Sequence, residues 1–451
     1  MRSFSPHSLF GLAALALALS LSPGRPAEAK VFSPETFTLA NGMQVVVISN
    51  HRVPVVTHMV WYKVGAADEQ PGETGIAHFL EHLMFKGTKT RAPGEFSRTV
   101  ARNGGTENAF TSYDYTGYHQ TIARDRLEMV MEMEADRMTN LVITEKEVEP
   151  ERLVVLEERR QRTDNHPSSI LREQAAAVQF YNYPYRRPII GWEHEIRTLD
   201  LDRIRAFYKR WYAPNNAVLV VAGDITAAQL KPLAEKYYGA IPAGAVPARA
   251  RPEEPPQSAA REVTLVDARV PQPSWSRTYL APSYRYGATV QAYALQVLAE
   301  ILGGGATSRL YRALVVDSAI ADAAGAFYDP ATMGPSLFGF FARPRRGQTI
   351  ATIQAAVEAE VSRLLTNGVT TDEVERARKR MQAEAILARD SLRTGARVLG
   401  SALAIGQTVD DVEAWPERIG AVTVEQVNAA ARAVLTQQGF VTARLLPKES
   451  S

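Results

Sequence analysis

The chain turns on Gly75-Ile76-Ala77-His78-Phe79-Leu80-Glu81-His82-Leu83-Met84-Phe85-Lys86-Gly87. Ile76, Phe79, Leu80 and Leu83 recur at the three- and four-residue spacing of one buried helical stripe, and His78, Glu81 and His82 share the neighbouring stripe. The spacing predicts a helix, apolar on one side, that turns two imidazoles in the same direction one turn apart. The plainer reading is a helix that merely carries two histidines and a glutamate. Against it stand a chain with eight His in all and apolar neighbours that do not suit a solvated charged face.

Two imidazoles so placed fit a tetrahedral Zn²⁺ that takes two nitrogens from one helix and leaves room for a third protein ligand and a water. Glu81, in the same turn, is placed to accept a proton from the bound water, whose pKa zinc lowers to about 7. The order His-x-x-Glu-His inverts the commoner His-Glu-x-x-His and is the inverzincin signature. Metal-assisted amide hydrolysis is the expected chemistry.

Upstream, Arg2 precedes an apolar run from Leu9 to Leu21, followed by Pro23-Gly24 and by Ala27-Glu28-Ala29. This is a basic n-region, an h-region too short to span a bilayer and an A-x-A cleavage site, so residues 1–29 read as an export signal rather than a retained anchor. The mature chain of 422 residues would begin at Lys30 with 49 basic and 48 acidic residues. That balance offers no electrostatic case for nucleic acid or a membrane surface. There is no Cys, so an exported chain must be held by its core without disulfides. The length favours two domains.

Phe37 to Ser49 reads as a hairpin about an Asn41-Gly42 turn, and His58 to Val64 alternates like a second pair of sheet segments. After the motif, Glu95 to Asn103 is helical, Gly104-Gly105 ends it, and Thr106 to His119 is one extended, polar-aromatic stretch. Its composition suits equally a sheet edge to which a peptide could add as a strand and a plain hairpin without ligand. Helical patterns follow over Asp125–Leu141 and Glu145–Arg162. In the second, Val148, Leu153, Val155 and Leu156 mark the apolar side, while Glu151 and Glu158, seven apart, share a face. Glu158 or a neighbour is a candidate third zinc ligand, although spacing alone favours an ordinary solvated helix charge.

Gly75 to Gly87, Asn108-Ala109-Phe110-Thr111 and Glu151-Arg152-Leu153-Val154-Val155-Leu156-Glu157-Glu158 together resemble the pitrilysin (insulinase) family of zinc peptidases, in the branch of the mitochondrial processing peptidase beta subunit and its bacterial two-domain relatives. The likeness covers nearly the whole mature chain. It implies that His78 and His82 ligate one Zn²⁺ per chain, that Glu158 is the distal ligand, that Glu81 is the general base and that Glu151 orients the site from behind the ligands. It further implies that Asn108, Ala109 and Phe110 form the edge strand to which a peptide substrate adds.

Pro242 to Arg261, with Pro247, Pro252, Pro255 and Pro256, lacks an apolar period and reads as a partly extended linker. The expected organisation is a zinc-binding domain over 30–242, a linker over 243–261 and a homologous domain without a metal site over 262–451. Weak internal repeats support this duplication. Leu199–Ile204, leading to a strand over 217–222, parallels Val422–Val427, leading to 440–446, and Thr144–Glu149 parallels Thr371–Glu375. The counterpart of the metal helix, Ala292 to Leu302, holds no histidine. The expected fold class is α+β, with two homologous domains that are each a mainly antiparallel sheet flanked by helices.

Gly303-Gly304-Gly305 lacks the context of a phosphate loop and reads as a helix–helix turn. Single-chain and homodimeric relatives carry an Arg and a Tyr in the second half that bind the scissile carbonyl side of the substrate. Here Ser336 or Leu337 stands where that Arg would be, no Tyr occurs in the following helix, and Arg343, Arg345 and Arg346 fall past the strand. The expectation is an exported, periplasmic zinc endopeptidase subunit that hydrolyses unstructured peptides in a closed chamber. It would work beside a homologous chain supplying the Arg/Tyr pair, a homodimer being the other arrangement, with no nucleic acid and no membrane once the signal is removed. The rival is a non-catalytic assembly or binding subunit on the same fold.

Overall fold

The computed structural model describes residues 31–448, so the expected export signal lies outside the described residues. The first six strands are β1 (Glu35–Thr38), β2 (Gln44–Ser49), β3 (Val55–Tyr62), β4 (Thr106–Thr111), β5 (Thr116–Ala123) and β6 (Ala217–Gly223). They form one sheet in the order β1-β2-β6-β3-β5-β4. The second sheet takes β7 (Arg261–Asp267), β8 (Ser274–Ala281), β9 (Ala321–Tyr328), β10 (Ser336–Pro344) and β11 (Phe440–Pro447) in the order β7-β11-β8-β10-β9. Each contains one parallel pairing, β2 with β6 and β7 with β11, among antiparallel ones. Apart from β1, the two orders match strand for strand. The fold is α+β with two homologous domains, as the internal repeats imply.

Local chemistry explains the elements. Asn41 and Gly42 (φ 89°) turn β1 onto β2. The segments expected over His58–Val64 are instead the single strand β3, buried from Val56 to Tyr62 because it runs through the middle of the sheet with both faces covered. The stretch Thr106–His119 is likewise two strands, β4 and part of β5, which turn where Ser112 N–H donates to Tyr115 O (2.8 Å). In the repeat, the caps sit one residue from the alignment read in the sequence. The N-cap matching Thr144 is Thr370 rather than Thr371, since Thr144 N–H donates to Glu147 (3.2 Å) and Thr370 N–H to Glu373 (2.8 Å).

Five helices of the first half matter to the site: α1 (Ile76–Leu83), α2 (Glu95–Arg102), α3 (Leu127–Asn140), α4 (Glu145–Arg159) and α5 (Pro167–Gln179). The main core lies between one face of the first sheet and the helices around α1 and α3. On the opposite face Val46, Ile48, Met59, Trp61, Val218 and Val220 pack against Ala396, Leu399 and Leu403 of the helix Leu392–Ala404, which comes from the second half. Reciprocally, Leu171 and Ala175 of α5 cover Val263, Leu265, Ala443 and Leu445 of the second sheet. Each half lends one helix to the other.

Residues 242–258 contain neither helix nor strand, yet they are not a loose polyproline tether. Arg251 pairs with Asp68 at 2.6 Å and with Asp114 at 3.4 Å, and Arg249 donates to Asp114 O at 2.6 Å. Glu254 accepts from the backbone N–H groups of Tyr181, Asn182 and Tyr183 at 2.7–3.0 Å. Buried carboxylates on the first half, otherwise costly to desolvate, fix the course of this stretch.

Candidate metal centre

α1 is seated by its N-terminus. Its N-cap, Gly75 (φ 90°), lies against Gly191 (φ 91°). A Cβ on Gly75 would meet Ile190 O at 2.5 Å, and one on Gly191 would meet Thr74 O at 2.4 Å. Only glycines allow this approach. The buried Glu69 carboxylate then accepts from the N–H groups of Gly75 (3.1 Å) and Ala77 (3.0 Å), which satisfies donors that an α-helix leaves free in its first turn. Ile76, Phe79, Leu80 and Leu83 are fully buried, as the spacing predicts.

α4 packs across α1. Its buried residues Val148, Glu151, Val155 and Arg159 follow helical spacing and put Glu158 one residue from the end of the stripe. Leu153, expected on the apolar side, is 66% exposed because it sits two residues off that stripe. The helix predicted to Arg162 is α-helical to Arg159 and continues as a π-turn over Arg160–Asp164. Arg159 ties this end of α4 to the start of α1 by donating to Gly191 O (2.8 Å) and to Glu173 (2.8 and 2.9 Å).

This packing brings together three residues expected to act as ligands. Nε2 of His78 and of His82 lie 3.6 and 3.1 Å from Glu158 Oε2, and the three side chains offer donor atoms within 4.8 Å of one another. Ligands of a tetrahedral zinc with bonds of about 2.0–2.1 Å stand roughly 3.3 Å apart, so the donor set and its spacing fit that ion. His82 Nδ1 bonds Glu151 Oε1 at 2.8 Å, which leaves Nε2 for the metal; Lys86 pairs with the other Glu151 oxygen. Arg162 holds Glu158 Oε1 at 2.5 Å, so Oε2 is the oxygen turned to the histidines.

Charge follows position. Burial, reinforced by the neighbouring His82, pushes the His78 imidazole down to about 4. Burial acts the same way on His82, but hydrogen bonds to Glu151 and Glu158 outweigh it and hold that imidazole up at about 9. Burial raises the Glu81 carboxyl above the ordinary range, opposed by a hydrogen bond that Thr111 Oγ1 donates to its Oε2 at 2.5 Å.

Thr111 ends β4, the outermost strand of the first sheet, whose pairing within that sheet is with β5 alone. Asn108, Ala109 and Phe110 stand opposite His119, Tyr118 and Gly117. Phe110 is committed to packing, edge-on to Trp61 at 5.0 Å and over Gly117, so what this strand has to offer a ligand is main chain. Thr111, Lys86 and Arg162 escape a motif-based reading. Arg162, four residues after Glu158 in the helical pattern read to Arg162, is the one whose spacing could have marked it.

The second half carries no such cluster among the described residues. Its counterpart helix, Gln291–Gly303, instead pairs Glu300 with Arg380 of the helix Thr371–Ala388. Ser336 is buried at the start of β10, the helix Ile350–Asn367 contains no Tyr, and Arg343 lies within β10 rather than beyond it, since the strand runs to Pro344.

A two-sheet α+β fold that sets a His-x-x-Glu-His helix against a carboxylate from a second helix defines the class of inverse-motif zinc peptidases. The comparisons agree. Residues 44–192 match the family described as insulinase (peptidase family M16), and residues 198–381 match the peptidase M16 inactive domain. The chain is 32% identical over 389 residues to zinc protease PqqE of Helicobacter pylori, covering 86% of each. It also resembles a crystal structure of a protease from H. pylori, with TM-score 0.86, 29% identity, and 92% and 99% of the two chains covered. The fold is shared with the periplasmic protease PqqL of Escherichia coli (TM-score 0.78, 21% identity), where 92% of this chain covers 47% of that one. The chain belongs to the M16 family of peptidases.

Proposed function

We propose that this chain is the zinc-bearing subunit of an exported endopeptidase that cleaves unstructured peptides. The observation that carries the reading is the position of Glu81, between the His78, His82 and Glu158 donors and Thr111 of the edge strand β4. Peptide-bond chemistry needs a base, a metal and a place for an extended substrate to converge. In this reading residues 30–242 and 262–451 are the two domains, 243–261 links them, and one Zn²⁺ binds per chain.

Zinc bound by His78, His82 and Glu158 supplies Lewis acidity toward a water and toward the scissile carbonyl. Glu151 keeps His82 in the tautomer that presents Nε2, and Arg162 keeps Glu158 presenting Oε2. A peptide adds to β4 through main-chain hydrogen bonds at Asn108, Ala109 and Phe110. Glu81 takes the proton of the attacking water on Oε1, the oxygen that Thr111 leaves free, and passes it to the leaving amine. The burial that raises its carboxyl suits it to hold that proton between the two steps.

No Arg or Tyr of the kind that steadies the carbonyl oxygen stands at the matching places in β10 and the helix after it. We therefore assign that donor to a second, homologous chain that closes a chamber over the site. That the fold spans 47% of PqqL supports the need for a second such body. The export sequence, together with the periplasmic relative, supports a periplasmic address, and no described helix is long and apolar enough to cross a membrane. The test is cleavage of a mixed peptide pool by the zinc-loaded mature chain, with Glu81→Gln as control. Silence alone and Glu81-dependent cleavage after a partner chain bearing the Arg/Tyr pair is added is the expected outcome. Cleavage by the single chain removes the partner; silence throughout, with zinc bound, favours the non-catalytic subunit.

A further inference from the structure

Behind α1, away from the metal-site residues, lies a cavity of about 720 Å³. Its walls are the loop after β3, the segment before and after Gly191, the end of the helix Leu201–Trp211, and the strapped stretch around residues 247–252. Its chemistry is lopsided. The guanidinium of Arg187, a half-buried residue, makes no hydrogen bond or ion pair among the described residues, and its Nε is shut off from solvent without an acceptor. The indole Nε1 of Trp211, a side chain 5% exposed, and the Nε of Arg251 are buried donors in the same condition.

The acids lining the cavity are already engaged. Both Glu69 oxygens accept from the backbone of α1, Asp68 is held by Arg249 and Arg251, and Glu195 accepts from Thr74 N–H. Arg186 and Arg210 add two more positive charges to the lining. Unsatisfied buried donors are uncommon, and each one calls for a partner. Here every unsatisfied atom at the cavity is a donor, so the complementary molecule is rich in acceptors and negative. A planar guanidinium suits two oxygens of one group, the geometry in which arginine binds carboxylate and phosphate, and the Trp211 side chain lines the same cavity. Burial disfavours the charge on Arg187, with Glu69 and Glu195 opposing that shift and Arg251 and Arg186 adding to it.

We propose that this cavity is a binding site for a small oxyanion, a carboxylate or a phosphate, gripped by Arg187 and Trp211. It is separate from the metal centre: His78, Glu81, His82 and Glu158 do not line it. Glu69 is the common element, since it lines the cavity and caps the metal helix.

The experiment is calorimetric titration of the full, metal-stripped chain with glutarate and, separately, with inorganic phosphate, with intrinsic tryptophan fluorescence followed in parallel. Saturable binding of at least one anion is expected, and the arm that saturates names the source. Arg187→Gln should weaken it by at least about tenfold, and Arg187→Lys, which keeps charge but loses the fork, by less. Trp211→Phe should remove the fluorescence response. His82→Ala should bind as tightly as wild type, which separates this site from the cationic imidazole of the metal centre. Circular dichroism confirms that each variant is folded. The inference is overturned if neither anion binds at millimolar concentration, if Arg187→Gln binds as wild type does, or if His82→Ala abolishes binding. In the first case the donors are met by water only.

Discussion

At the residue scale the most informative contrast is between His78 and His82, one turn apart on one helix and held at about 4 and about 9. Burial presses on both, and only His82 has two carboxylates to answer it. Its folded pKa lies above the unfolded value of about 6.5, so its contribution is complete below about pH 6.5 and lost as pH rises through about 9. In metal-stripped protein this amounts to an order of 2–3 kcal/mol. Zinc must displace the same proton, so in the zinc-loaded chain rising pH should strengthen rather than weaken the fold over that window. Thermal unfolding at pH 6.5 and 9, each form referenced to His82→Gln, reads the effect; parallel slopes for the two forms would count against this account. The pair of histidines and Glu81 could be read from spacing alone, because an apolar helical stripe fixes where its neighbours point. Thr111 could not, because its role depends on how the edge strand comes to rest against α1.

At the scale of elements, the site depends on how α1 and α4 meet, and that meeting is made at a distance from the metal. The left-handed Gly75 and Gly191 let two backbones touch, and Arg159 joins that contact to the end of α4 that carries Glu158. Gly191→Ala places a Cβ 2.4 Å from Thr74 O at a φ of 91°. Strain of this kind costs about 1–3 kcal/mol before the clash is counted, and part of it should be relieved by tilting α1. The expected result is weaker zinc binding together with a lowered melting temperature, read by chelator competition and thermal unfolding. Unchanged zinc affinity in a destabilised variant would mean that the contact holds the fold but not the site. The helices follow from local periodicity and the β1–β2 turn from its Asn-Gly pair, whereas the composition of β4 left a sheet edge and a plain hairpin equally open. What periodicity misjudged has one cause, tertiary cover: β3 loses its alternation because both faces are buried, and Leu153 is left exposed because α4 turns its carboxylate stripe inward.

At the scale of the whole molecule, duplication and interdependence are the same fact seen twice. The repeat in the sequence suggests two units that could stand alone, yet each sheet completes its second face with a helix from the other half. Without Leu392–Ala404, the first sheet would expose Val46, Ile48, Met59, Trp61, Val218 and Val220, all buried here. At about 1.5–3 kcal/mol for each large apolar side chain, that loss is on the order of 10 kcal/mol, as large as the whole stability of a typical domain. The straps from Arg249 and Arg251 to Asp68 and Asp114 would remain on a fragment ending at residue 261 but cannot replace an apolar face. A fragment of residues 30–261 should therefore bind hydrophobic dye, unfold without a cooperative transition and aggregate. Expressed together with residues 262–451, it should co-elute as a one-to-one complex that recovers zinc binding. Cooperative, dye-free unfolding of the first fragment alone would show that the exchanged helix is an accessory, and that the two halves were joined after each had become a domain in its own right.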